Sequence, residues 1–261
     1  VATLMFAGMF SYLVVSFNSG WLIARLGLGL YLMFAGLISA IGFAGHVFAP
    51  TWWMFVLFGV VAAVGTSALD AGLNTYFAMH RSARVMNWMH ACFGLGGTLS
   101  PIVITAMMER GYTWRWGYVP FVGAYVLLAL CFALTARRWT GAGEASARQE
   151  AAPTGTALKH GLDTLKLPIV WLNLVLFFIF TGMEGVAGQW PYTLFTEGRA
   201  IDPVVAGFWT SLFWLSVTVG RIFFGFAVKF IGNVSLIRIA MGTAVLSAGL
   251  IWWNPSAGLS F

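Results

Sequence analysis

Charge is what this chain has least of. Of its 261 residues 8% are Asp, Glu, Lys or Arg, against 60% apolar and a mean hydropathy of +0.85. A soluble domain carries about 25% charged residues, so this chain cannot cover itself with water-compatible surface and reads as an integral membrane protein. Cysteine is scarce too. Cys92 and Cys131 lie in apolar runs with neither metal-ligand spacing nor a disulfide framework, and are expected as small buried packing residues. The four histidines and eight acids are dispersed, with no H-E-x-x-H motif and no nucleophile elbow, which argues against a membrane enzyme. No cofactor and no metal site is expected. Short alternating segments are also missing, which excludes a β-barrel. No basic n-region precedes the first apolar run, so no cleavable signal peptide is recognised, and the absence of an initial Met points to a fragment.

Long apolar runs are there instead. Eight are long enough to cross a ~30 Å hydrocarbon core as helices. They cover Val1–Ile23, Gly29–Phe48, Trp52–Phe77, Met86–Met108, Gly117–Ala136, Leu167–Trp190, Val204–Val228 and Val234–Trp253. Alternate connections hold ten cations (Arg25, Arg81, Arg84, Arg137, Arg138, Arg148, Lys159, Lys166, Lys229 and Arg238) against three (Arg110, Arg115 and Arg199) on the other side. The first side is therefore assigned as cytoplasmic. The net charge of +6 is read in this way, with a lipid bilayer and no nucleic acid as partner. The stretch 137–166 is polar and about 30 residues long, and reads as a cytoplasmic linker between two helical bundles, 1–136 and 167–261.

Polar residues inside the runs are the candidates for function. Asp70 lies where the bilayer centre should be, at a cost of about 2.5–3.5 kcal/mol on insertion scales. Such a group is usually kept to handle a proton, an ion or a polar solute. Asn74 follows one turn later on the same face, placed to bond solute hydroxyls or to hold Asp70. Glu184 is the second acid within a span, among Gly182, Gly185 and Gly188, in a stretch expected to bend or break; such discontinuities often carry substrate contacts. Gln189 and Trp190 would supply hydrogen bonds and a flat apolar face, a match for a sugar. His90, Gly94, Gly97 and Pro101 share a helix face; the glycines read as packing, and His90 as a backbone partner or pH-sensitive gate. Arg221 reads as snorkelling, or as bonding terminal carbonyls.

A repeat supports the two-bundle division. Gly20-Trp-Leu-Ile-Ala-Arg25-Leu-Gly27 follows the first span, and Gly225-Phe-Ala-Val-Lys229-Phe-Ile-Gly232 the seventh. Both place a cation between glycines seven apart, in turns assigned to the cytoplasmic side. Aligning the halves leaves one helix missing before Val1 and about three after Phe261. The expectation is eight helices of twelve: helices 2–6, then 7–9.

Six helices, a long linker, a second six and Gly-rich basic turns resemble the major facilitator superfamily. Its turn pattern G-x-L-a-D-R-x-G-R is matched by Gly20, Leu22, Arg25 and Gly27; Ala24 replaces the acid and Leu28 the last basic residue. Within the superfamily the chain resembles the fucose permease-like sugar:proton symporters through Asp70 with Asn74, Asn87-Trp-Met-His90 to Gly96, Phe180 to Trp190, and Phe213-Trp214 followed by Gly220-Arg221. The resemblance implies an all-α, two-bundle transmembrane fold and a monomer in a bacterial inner or plasma membrane. It further implies proton coupling at Asp70 and Glu184, solute binding by Asn74, His90, Glu184, Gln189, Trp190 and Trp214, and gating or structural roles for Gly20, Arg25, Gly27, Arg221 and Gly225.

The leading expectation is a secondary transporter moving a small polar solute, such as a monosaccharide, by proton symport. Proton-coupled efflux or exchange of a more apolar compound is the alternative. A solute-sensing receptor, and an enzyme built around Asp70, rank below both.

Overall fold

The computed structural model describes residues 2–139, 163 and 165–253. The expected linker 137–166 therefore lies largely outside the described residues, as does the tail 254–261. Each of the eight apolar runs is a helix: α1 Ala2–Leu26, α2 Leu28–Phe48, α3 Trp52–His80, α4 Ala83–Glu109, α5 Val119–Thr135, α6 Pro168–Gln189, α7 Pro203–Ile231 and α8 Asn233–Trp253. All eight runs are long and apolar enough to cross a membrane, and no strand occurs among the described residues. The chain is an all-α transmembrane protein.

Local chemistry fixes where these helices begin and end. Thr51 caps α3, its Oγ1 accepting from the Met54 N–H at 3.3 Å, and Asp202 caps α7, its Oδ1 accepting from the Val204 N–H at 2.9 Å. Pro168 and Pro203 open α6 and α7, where the missing N–H is no loss. The turns of the repeat share a positive φ. Gly27 between α1 and α2 has φ +75°, and Gly232 between α7 and α8 has φ +79°, the left-handed region that a side chain disfavours. Each accepts the first hydrogen bond of the following helix, from Tyr31 N–H at 3.1 Å and Leu236 N–H at 3.2 Å.

The contacts divide the chain into two compact units, α4 being shared between them at Ile102 and Val103. In the first unit α2 packs against α3 and α5, and α1 against α3, around Leu28, Tyr31, Leu32, Ala35, Ala68, Leu69 and Phe132. Small residues set the spacing. A Cβ at Gly36 would lie 3.1 Å from the Cβ of Ala129, and one at Gly29 would meet the Ala136 backbone at 2.6 Å. Such close approach is how helices associate where lipid removes the usual hydrophobic drive. The second unit holds Ser82–Ile102 of α4 with α6, α7 and α8.

Cys92 and Cys131 depart from expectation. Both are free and exposed, on α4 and α5. A small apolar thiol is tolerated at such a position in a membrane span.

Candidate functional site

In the first unit Asp70 is held through both carboxylate oxygens. The Tyr12 hydroxyl of α1 donates to Oδ2 at 2.6 Å, and the Asn74 amide donates to Oδ1 at 2.8 Å. Asn74 is in place because it follows Asp70 by one helical turn; Tyr12 is in place because α1 packs on α3. The other side-chain donors nearby stay on their own helix: Ser11 bonds Ala7 O, Asn18 bonds Val14 O and Ser19 bonds Ser16 O. Tyr12 alone among them reaches across. Asp70 is the only acid on α1, α2 and α3, and the cations of these helices sit at their ends. Its charge is therefore balanced by neutral donors, and half-buried.

In the second unit the acid has a different partner. Glu184 Oε1 on α6 lies 3.2 Å from Arg221 Nη2 on α7, the two side chains 23% and 27% exposed. Arg221 thus turns to an acid on the neighbouring helix instead of snorkelling. The pair leaves this part of the span without net charge.

Trp214 occupies a slot made by glycines. A Cβ at Gly97 of α4 would lie 2.7 Å from its Cδ2, and one at Gly188 of α6 would lie 2.5 Å from its Cζ2. Phe93 adds an edge-on ring at 5.6 Å. Thr218, one turn on, covers Gly94, where a Cβ would fall 2.5 Å from its Oγ1. Gln189 and Trp190 follow Gly188 and are exposed, and His90 is half-buried on α4. Gly182 and Gly185 have open space around them, and α6 runs unbroken through both. No break occurs at either glycine, because an intrahelical hydrogen-bond ladder needs no side chain to continue; the helix ends at Gln189.

The gating set is placed as follows. Gly20 lies within α1, and the Arg25 guanidinium stacks 4.1 Å over the Trp21 ring. Gly225 faces the start of α4, its notional Cβ 3.6 Å from Trp88 and 3.7 Å from Arg84 and Asn87. Arg84 lies 5.2 Å over the ring of the next residue, Phe226. No group of three or more His, Cys, Asp or Glu placed to hold a metal occurs among the described residues.

Two residues were not singled out from sequence. Tyr12 carries a signal that was there to find: a tyrosine well inside an apolar span needs a partner for its hydroxyl. His46 is buried in a box of rings, 4.2 Å from Phe55, 5.0 Å from Tyr118 and 6.0 Å from Phe43. An imidazole in an apolar run is the corresponding mark.

Comparison with known proteins places this arrangement. Residues 1–261, the whole chain, match the Major Facilitator Superfamily. The chain belongs to the Major Facilitator Superfamily. Its relatives include the Protein TsgA homologs of Yersinia enterocolitica (24% identity over 249 residues, 90% of this chain and 58% of that protein) and Erwinia tasmaniensis (25% over 250 residues, 92% and 59%). The TsgA homolog of Buchnera aphidicola is 23% identical over 222 residues, 84% of this chain and 54% of its own. The chain thus spans somewhat more than half the length of these relatives. No solved structure matches. Major facilitator proteins carry small-molecule solutes across membranes and are not enzymes; this one is a multi-pass protein of the inner or plasma membrane.

Proposed function

We propose that the protein is a secondary active transporter that moves a small polar solute by proton symport through alternating access, with a monosaccharide as the solute. The observation that carries this reading is the setting of Asp70. An acid inside a span, bonded at both oxygens by neutral donors and without a facing cation, can change charge without stranding a partner ion. Asp70 is the proton carrier in this reading, with Asn74 orienting it. The family resemblance implies proton coupling at Glu184 as well. Its pairing with Arg221 favours a fixed charge, with Glu184 in the solute-holding set alongside Gln189, Trp190, Trp214 and His90. The fucose permease-like resemblance supports the choice of sugar.

Asp70→Asn in proteoliposomes is the test. Accumulation of a monosaccharide under an inward proton gradient should be abolished, while exchange of labelled for unlabelled sugar continues. Undiminished accumulation would remove Asp70 from the mechanism. Wild-type uptake that falls, instead of rising, with an inward proton gradient would replace symport with proton-coupled exchange or efflux.

A further inference from the structure

We propose that Tyr12 is a positioning residue whose hydroxyl reverses its hydrogen bond when Asp70 takes up a proton, and in doing so becomes a donor to the solute. The inference rests on the reading of Asp70 as proton carrier.

Stereochemistry decides which oxygen receives the proton. Asn74 presents Nδ2–H to Oδ1, and that group can only donate. A proton on Oδ1 would find no acceptor in that group. Tyr12 faces Oδ2, and a phenol oxygen both donates and accepts. The incoming proton, supplied by hydronium, forms an O–H bond on Oδ2 and leaves water behind. The new acid O–H donates to the Tyr12 oxygen, and Tyr12 keeps its own proton but swings it to another acceptor. No bond other than hydrogen bonds is broken on the protein.

The surroundings fix where that hydroxyl can turn. The titratable groups on the elements packed against α3 are Tyr12 and Arg25 on α1 and Tyr31 and His46 on α2; α3 itself adds Tyr76 and His80, and Tyr118 faces its start at Phe55. His80 is ten residues from Asp70, about 15 Å along the helix, and Arg25 is thirteen from Tyr12, about 20 Å. Both charged groups are too far to receive the freed proton; the hydroxyl that neighbours Tyr12 on its own helix is Ser16, one turn on. Tyr12 is 45% exposed, so its released hydroxyl can turn outward from the helix pair, where a solute hydroxyl oxygen competes with Ser16 to accept it. Proton occupancy of Asp70 and a hydrogen bond to solute are thereby linked through one atom of α1.

Acid-minus-neutral infrared difference spectroscopy on the full-length protein in proteoliposomes tests this with the proton itself as probe. Wild type should show a protonated-carboxyl C=O band that is lost in Asp70→Asn. In Tyr12→Phe the band should persist but move to higher frequency, since the acid has lost its acceptor. In wild type carrying ring-labelled tyrosine, a tyrosine C–O band should shift over the same pH range, and this shift should vanish in Asp70→Asn. The labelled wild-type measurement stands even if Tyr12→Phe folds poorly. A carboxyl band lost in Asp70→Asn but unmoved in Tyr12→Phe, or no tyrosine shift in wild type, overturns the inference and leaves Asp70 as carrier. A band unaffected by Asp70→Asn overturns the underlying reading as well.

Discussion

The two acids inside the spans are stabilised in opposite ways. Asp70 is met by a phenol and an amide, both uncharged, while Glu184 is met by a guanidinium. Removing the charge of Asp70 by protonation leaves two neutral donors that can turn elsewhere. Removing the charge of Glu184 would strand Arg221 in an apolar span, which is unfavourable. The difference teaches that two intramembrane carboxylates can be held by partners of different charge, and it is on this difference that the proposed proton coupling at Asp70 rests.

The sharpest way to break the comparison is to remove one member of the ion pair. Arg221→Met leaves Glu184 unpaired, and should lower stability by about 1–3 kcal/mol, less than for a fully buried pair because each side chain is about a quarter exposed. Thermal unfolding in detergent measures this, and Glu184→Gln combined with Arg221→Met should recover most of the loss. Equal instability of single and double variants would show that the pair is not the reason Arg221 turns inward.

Packing around the second site gives the next effect. Gly97→Ala drives a methyl into Trp214 and should destabilise by about 1–3 kcal/mol, whereas Gly96→Ala, with open space at that position, should be neutral or slightly stabilising. Parallel melting curves of the two variants check it. At the first site, Asn74→Ala removes one of the two donors to Asp70 and leaves Tyr12 in place. A loss of about 1 kcal/mol, roughly fivefold in gradient-driven uptake rate, is expected, with exchange unaffected. The smallest effects concern the repeat. Gly27→Ala and Gly232→Ala should each cost about 1 kcal/mol, because each position holds a positive φ, +75° and +79°, that a side chain disfavours; melting curves of the two variants measure it.

Helix positions were legible because an apolar run of span length has few other structures available in a bilayer. The Asp70–Asn74 bond was legible for the same local reason, a spacing of one helical turn. Gly27 and Gly232 showed themselves by their place just before a helix start. What could not be read were the partners across helices. Tyr12 is 58 residues from Asp70 and Glu184 37 from Arg221, so helix rotation and crossing decide whether they meet. From sequence alone Arg221 reads as snorkelling or bonding terminal carbonyls, and the structure pairs it with Glu184 instead. Trp214 illustrates the same limit: the glycines that admit it come from α4 and α6, and only packing brings them to one ring. Burial of the cysteines could not be read either, because an apolar run does not say which of its faces packs against another helix.

Solute-evoked proton movement, recorded as external pH in proteoliposomes, tests most directly whether coupling resides in Asp70 and not in Glu184. Addition of a transported monosaccharide to Asp70→Asn should move no protons although labelled-sugar exchange persists, while the Glu184→Gln, Arg221→Met double variant should still move protons with whatever sugar it carries. Proton movement retained in Asp70→Asn, or lost in the double variant while its exchange continues, would contradict the assignment.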